Sequence, residues 1–209
     1  MNIRRQKILT ALVLIFSSPV LLIAKKPEVT PQDLSLAGKK GACFTLRDAK
    51  SKRGGRAKEN IPKVKALNVS WNYSWGSMLI DEQPEGVEFL PMTWGASSHE
   101  KLSQRLKNDL HPHIKSGKVK RFLAFNEPDK KEQANMPYTK ALELWPLLEK
   151  LDIPLCSPSC ANPEGIKDAS TQGVPGTWMN DFMTEADKRG YRVDYIGVHW
   201  YGGTHAQSF

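Results

Sequence analysis

Cysteine is scarce in this sequence. Only Cys43, Cys156 and Cys160 occur among 209 residues. Their number is odd and no C-x-x-C pair is present, which excludes a disulfide scaffold and a thiolate zinc site. Cys156 and Cys160 would stand roughly 13 Å apart in an extended segment, beyond the reach of a disulfide, so all three cysteines are expected to be small buried hydrophobes. Internal repeats and low-complexity linkers are also missing, which excludes a solenoid or an array. With a hydrophobic fraction of 40%, the chain is neither disordered nor collagen-like. Its length suits one domain, perhaps with an appendage, whose core needs no covalent staple.

Long apolar runs are confined to the N-terminus. Arg4, Arg5 and Lys7 precede the uncharged stretch Ile8 to Ala24, which meets Lys25, Lys26 and Pro27. This is the layout of a signal peptide. The run is slightly short for a membrane span and Ser17-Ser18-Pro19 weakens its middle, yet no clean A-x-A site precedes Lys25, so an uncleaved anchor stays open beside a cleaved signal. Either form implies export, to a secreted or periplasmic location, with no membrane contact apart from such an anchor. Residues 25–38 read as a polar spacer and 39–209 as the functional domain.

The formal charge is +8, falling to +5 without the first 24 residues. Much of the excess lies between Lys39 and Lys58, where Arg47, Lys50, Lys52, Arg53, Arg56 and Lys58 surround Gly54-Gly55. Only Phe44 interrupts this stretch with an aromatic ring and no recognition motif is present, so the expectation is a solvated loop and not a nucleic-acid site.

Beyond residue 39, short apolar runs alternate with amphipathic ones. Residues 41–46, 69–75, 87–94, 119–125, 153–158 and 193–200 read as strands. A Ser97-x-x-Glu100 capping box opens a helix carrying Leu102, Leu106, Leu110 and Ile114, which stops at Gly117. Pro137 suits the first position of a second helix, which Pro146 should kink or shorten. A third runs from about Thr177 to Arg189 and ends at Gly190. Strands separated by helices imply parallel crossovers and an α/β class.

In such a fold, chemistry gathers at the C-terminal ends of strands. There the sequence places Trp71, Asn72, Trp75 and Trp94, indoles beside amides and glycines. Flat rings suit the apolar faces of sugars, although spacing alone leaves Trp71 and Trp75 open to a core role. Asn68-Val-Ser70 and Asn72-Tyr-Ser74 match glycosylation acceptors, a match expected to be accidental on inaccessible strand residues. Ala124-Phe-Asn-Glu-Pro-Asp129 ends a strand in an amide and a carboxyl group. Glu127 could protonate a departing glycosidic oxygen if its surroundings raised its pKa, and Asn126 could bind a sugar hydroxyl. An isolated N-E-P reads more simply as a capping turn, but His199, Trp200 and Tyr201 end another strand.

The ordered succession KKGACF, VSWNYSWG, VEFLPMTWG, RFLAFNEPD, QANM, CSPSCAN, WMNDF and VDYIGVHWYG resembles the catalytic domain of glycoside hydrolase family 128. The resemblance implies a clan A (β/α)8 TIM barrel that cleaves β-1,3-glucan with retention. It implies Glu127 as acid/base with Asn126 beside it, and substrate contacts from Trp71, Asn72, Trp75, Trp94, His199, Trp200 and Tyr201. One departure is large. Retention needs a second carboxyl group about 5 Å away, which the family carries on its seventh strand in a W-x-T-E-F-like segment. No counterpart occurs here, and Glu185 falls within a helix. The expectation is therefore a barrel with about six of eight βα units and no nucleophile in this chain. As a fragment, or the product of a prematurely ended or decayed gene, it would be catalytically silent. A noncatalytic β-glucan-binding protein is the alternative, with a basic exported adhesion or nucleic-acid-binding module well behind both. The two-carboxylate chemistry implies no cofactor and no metal.

Overall fold

A computed structural model of the chain describes residues 38–44, 57–79, 83–161 and 177–201. The chain divides into two compact units, Met1–Ser35 and Leu36–Phe209, and every described residue belongs to the second. The signal or anchor run, the basic loop from Arg47 to Arg56, and the tail after Tyr201 lie outside the described residues.

Strand and helix alternate along the described chain. β1 (Gly41–Cys43) precedes α1 (Ala57–Ala66), and β2 (Trp71–Tyr73) leads to β3 (Glu88–Phe89), α2 (His99–Asp109) and α3 (His111–Lys115). β4 (Phe122–Leu123), α4 (Tyr138–Glu149), β5 (Leu155–Cys156) and α5 (Trp178–Lys188) follow. All the pairings are parallel: Gly41 with Trp71, Trp71 with Glu88, Phe122 with Leu155. A parallel bridge from Met92 to Leu123 joins the two ladders, and another from Cys156 to Tyr195 adds a sixth extended segment. The α/β class and the parallel order agree with the sequence pattern.

The sequence reading missed α1. That helix contains Pro62 and offers only Ile61 and Val64 as bulky apolar residues among Lys58, Glu59, Lys63 and Lys65, so its periodicity is faint. It ends in a left-handed turn at Asn68, φ 47°, a conformation that Asn tolerates better than most residues. Asn68 is consequently exposed, contrary to the expectation for that acceptor.

The cap of α2 lies one residue later than expected: Ser98, not Ser97, accepts from the Lys101 amide at 3.3 Å. The helical run also breaks at Leu110, between α2 and α3. Pro112 there has no amide to continue the hydrogen-bond ladder. Pro137 stands just before α4 in an extended conformation, and α4 continues through Pro146 to Glu149 without being shortened.

The main core lies where α2, α4 and α5 cover β4 and β5. Leu102, Leu106, Phe122, Leu142, Trp145, Leu148, Leu155 and Phe182 are buried in one cluster. Each buried Leu or Phe contributes about 1.5–3 kcal/mol over its exposed state. Trp145 meets Phe182 edge-on at 5.1 Å between ring centroids, and its indole N–H donates to the Arg192 carbonyl at 3.0 Å. Cys156 and Cys160 are buried as expected, whereas Cys43 is only half-buried. It hydrogen-bonds Tyr73, and burial pushes its thiol up to about 11 despite that bond.

Candidate active site

The strands end together, and their last residues form a cleft. The Asn126 amide donates to the Trp94 carbonyl at 2.9 Å, and the Glu127 amide to the Ser159 carbonyl at 2.8 Å. These bonds set the residue after β4 between its neighbours from β3 and β5. Glu127 itself has φ 44°, a left-handed conformation that costs a non-glycine residue about 1–2 kcal/mol. Trp75, just past β2, has φ 51°. Two such departures on one rim mark the region where backbone strain is tolerated.

The last segment approaches closely because residue 197 is glycine. A Cβ there would overlap the Ser159 hydroxyl and press on Cys156 Sγ at 3.1 Å. The Gly197 amide instead donates to Ser157 Oγ at 2.9 Å. This closeness lets His199 and Tyr201, two residues apart on the extended chain, reach Glu127.

Glu127 is only 3% exposed. His199 Nδ1–H donates to its Oε1 at 2.8 Å, and the Tyr201 hydroxyl donates to the same oxygen. Among the described residues the second oxygen, Oε2, has no protein partner. Burial alone would raise the Glu127 pKa, but hydrogen bonds from Tyr201 and His199, with the charges of His199 and Lys130, reverse this and hold it below the usual carboxylate range. Tyr201 responds in the opposite sense: its bond to Glu127, then burial, pushes its phenol up to about 12.

The cleft has a volume of about 480 Å³. Trp75, Trp94, Asn126, Glu127, His199, Trp200 and Tyr201 line it, so seven residues singled out in the sequence do converge. Tyr73, Gln133 and Val198 also line it; they lie in the segments VSWNYSWG, QANM and VDYIGVHWYG, but no site role was assigned to them. For Tyr73 a signal existed, since it follows Trp71 by two residues on β2 and so shares its face.

Two expected contacts fall elsewhere. Asn72 is completely buried, its amide donating to the Ala42 and Tyr73 carbonyls at 3.1 and 3.2 Å. Alternation along β2 turns it to the face opposite Tyr73, where it pins β1 to β2 and cannot meet a sugar. Trp71 lies one strand step deeper than Tyr73 and donates to the Lys39 carbonyl at 3.2 Å. It lines a second cavity of about 400 Å³ with Leu90, Met92, Phe122 and Tyr195, and not the cleft of Glu127.

Among the described residues, Glu127 is the only carboxyl residue lining the cleft. Glu185 sits on α5, paired with Lys188 at 2.6 Å, as its place in the sequence suggested. Among the described residues, no group of three or more His, Cys, Asp or Glu is placed to hold a metal ion.

A buried carboxyl group at the end of a parallel strand, ringed by indoles and phenols, suits sugar chemistry. The family model described as the glycosyl hydrolase catalytic core matches residues 41–209, and the chain belongs to that family. Among solved structures it is similar to a family 128, subgroup I endo-β-1,3-glucanase from Amycolatopsis mediterranei. With a mutant of that enzyme holding laminaripentaose, identity is 36% over 71% of this chain and 56% of the other, with a TM-score of 0.56. With its laminaritriose complex, identity is 34% over 82% and 61%, with a TM-score of 0.55. A subgroup II enzyme from Pseudomonas viridiflava, 23% identical over 81% and 63% with a TM-score of 0.53, shares the fold. The chain thus spans a little over half the length of the structures it resembles. A search of curated proteins gave no match.

Proposed function

We propose that this chain carries the acid/base part of a retaining endo-β-1,3-glucanase. The observation that carries the reading is Glu127, buried at the end of β4 in an aromatic cleft, within a chain similar to enzymes that hold laminari-oligosaccharides. Because both protein donors occupy Oε1, Oε2 is the oxygen that carries the catalytic proton to the departing glycosidic oxygen. Asn126 contacts a hydroxyl of the bound sugar, and Trp75, Trp94 and Trp200 present rings to sugar faces.

An ionised Glu127 cannot donate a proton in its resting state. A second carboxylate beside it would raise its pKa and supply the nucleophile. We place that group on a strand outside this chain, within an eight-unit barrel to which the chain contributes about six units. The N-terminal run exports the protein, as a cleaved signal or an anchor. On this reading the chain alone binds β-glucan without hydrolysing it. That Glu127 is the sole carboxyl group lining the cleft among the described residues also favours a second reading, a noncatalytic β-glucan-binding protein.

The test has two arms. Titration of the chain with laminaritriose should show binding that weakens when Trp75 or Trp94 is replaced by Ala; parental binding in both variants rejects the cleft. Fusion to the missing units should yield laminarin hydrolysis that Glu127→Gln abolishes while binding persists. Near-parental hydrolysis in that variant would remove Glu127 from the acid/base role. Sustained hydrolysis by the chain alone, lost in Glu127→Gln, would show that it already holds a second carboxylate.

A further inference from the structure

Between β4 and α4 the chain makes a compact loop whose position is fixed from several sides. The Ala134 amide donates to the Asn126 carbonyl at 3.3 Å, and the Met136 amide to the Pro128 carbonyl at 2.9 Å, closing the loop on itself. Asp129 Oδ1 accepts from the Ala161 amide at 2.8 Å, tying the loop to the end of β5. Trp178 of α5 donates its indole N–H to the Met136 carbonyl at 2.8 Å. Gly95, six residues past β3, packs so near Ala134 that an added Cβ would lie 3.1 Å from the alanine methyl. A loop held this way gives its side chains a fixed place.

Gln133 stands on that loop and lines the cleft. Its Oε1 accepts from Asn126 Nδ2 at 3.3 Å, which fixes the orientation of both amides. Among the described residues, neither the Gln133 NH2 group nor Asn126 Oδ1 has a protein partner. One is a pure donor and the other a pure acceptor. The pair is uncharged, and the neighbouring Glu127 carboxylate repels an anion, so the matching ligand is neutral. A sugar hydroxyl fits because it can accept and donate at once.

We propose that Gln133 is a sugar-contacting residue, its NH2 donating to a hydroxyl oxygen whose proton is accepted by Asn126 Oδ1. The bond from Asn126 to Gln133 keeps the two amides in register. This inference rests on the β-glucan reading and extends it to a residue of the QANM segment to which the sequence assigned no role. The hydroxyl belongs to the glucosyl unit next to Glu127, so the pair discriminates for an unsubstituted β-glucan over one modified at that position.

Two substitutions separate a donor role from a structural one. Gln133→Glu keeps an oxygen that accepts from Asn126 but has no NH2 to donate, whereas Gln133→Met loses both. Calorimetric titration of the full chain with laminaritriose, with Trp94→Ala alongside, should show about three- to tenfold weaker binding in both Gln133 variants. The thermal midpoint of Gln133→Glu should stay with that of the parent. Parental binding in Gln133→Glu with weak binding in Gln133→Met would reduce Gln133 to a brace for Asn126 and overturn the proposal. Parental binding in both, while Trp94→Ala is weakened, overturns it and leaves the β-glucan reading standing. No binding by the parent chain rejects both together.

Discussion

The two sides of the sheet are built to different standards. Around β4 and β5, three helices seal a continuous core in which Phe122, Trp145 and Phe182 are fully buried. Around β1 and β2, the buried apolar cluster among the described residues comprises Val64 and Val69, with Ala42, Phe44, Ile61 and Val87 partly buried against them. The cleft straddles the two: Asn126 and Glu127 come from the dense side, Tyr73 and Trp75 from the thin one. The exposed ring of Trp75 thus sits on a lightly packed support, while Glu127 is held firmly. Local opening follows buried apolar contacts, so amides of β1 and β2 should exchange with solvent sooner than those of β4.

The contrast breaks most visibly under truncation of large side chains. Trp145→Ala should cost about 3–5 kcal/mol, because it leaves a cavity against Phe182 and orphans the Arg192 carbonyl. Val64→Ala should cost about 2 kcal/mol, and paired urea titrations measure both. Equal losses would mean that the thin side is as cooperative as the dense one.

Gly197→Ala tests the closeness of the last segment. The new methyl overlaps Ser159 Oγ, and such overpacking costs about 1–3 kcal/mol. Part of the loss should return when Ser159→Ala is added, as read by the urea midpoint. An unshifted midpoint in the single variant would show that the segment yields freely.

Tyr201→Phe sharpens the electrostatic side. Removing a donor to the ionised form raises the Glu127 pKa. In the parent, the lowered pKa stabilises the fold in full above the ordinary carboxylate value of about 4.3, and this contribution is lost as the pH falls through the lower folded value. The variant should therefore lose that contribution at a higher pH on acidification, and carbon NMR of the Glu side chain should titrate accordingly. An unchanged titration would assign the shift to His199.

The smallest effect should come from Ser98→Ala. The cap bond is exposed and 3.3 Å long, so about 0.5–1 kcal/mol is expected. Ser97→Ala, one residue before it, should leave the midpoint unchanged.

Much of the site could be read from the chain because strand alternation is local. The pair Asn126-Glu127 and the triplet His199, Trp200, Tyr201 declare themselves by following apolar runs, and the structure brings them together. Asn72 was misplaced for the same reason in reverse: it belongs to a motif expected to face sugar, yet its position between Trp71 and Tyr73 puts it on the other face. Gln133 stood in the QANM segment that carries the resemblance, yet no role followed from it, since its place depends on how a loop closes against its neighbours. Helix α1 escaped because its stabilisation comes from Val64 meeting the sheet and hardly from its own periodicity. Pro146 misled because a proline near the end of a helix, where tertiary packing is dense, need not terminate it.

The tryptophans carry a further practical consequence. Trp75, Trp94 and Trp200 stand exposed at the cleft, while Trp145 and Trp178 are buried in the core. These five form two spectroscopically separable populations, and the half-buried Trp71 lies apart from both. Iodide should quench the outer set selectively, and an occupant of the cleft should shield those rings without disturbing the inner pair. Emission from the inner pair should change only when the core opens. Ligand entry and unfolding can thus be followed in one cuvette, with no label attached.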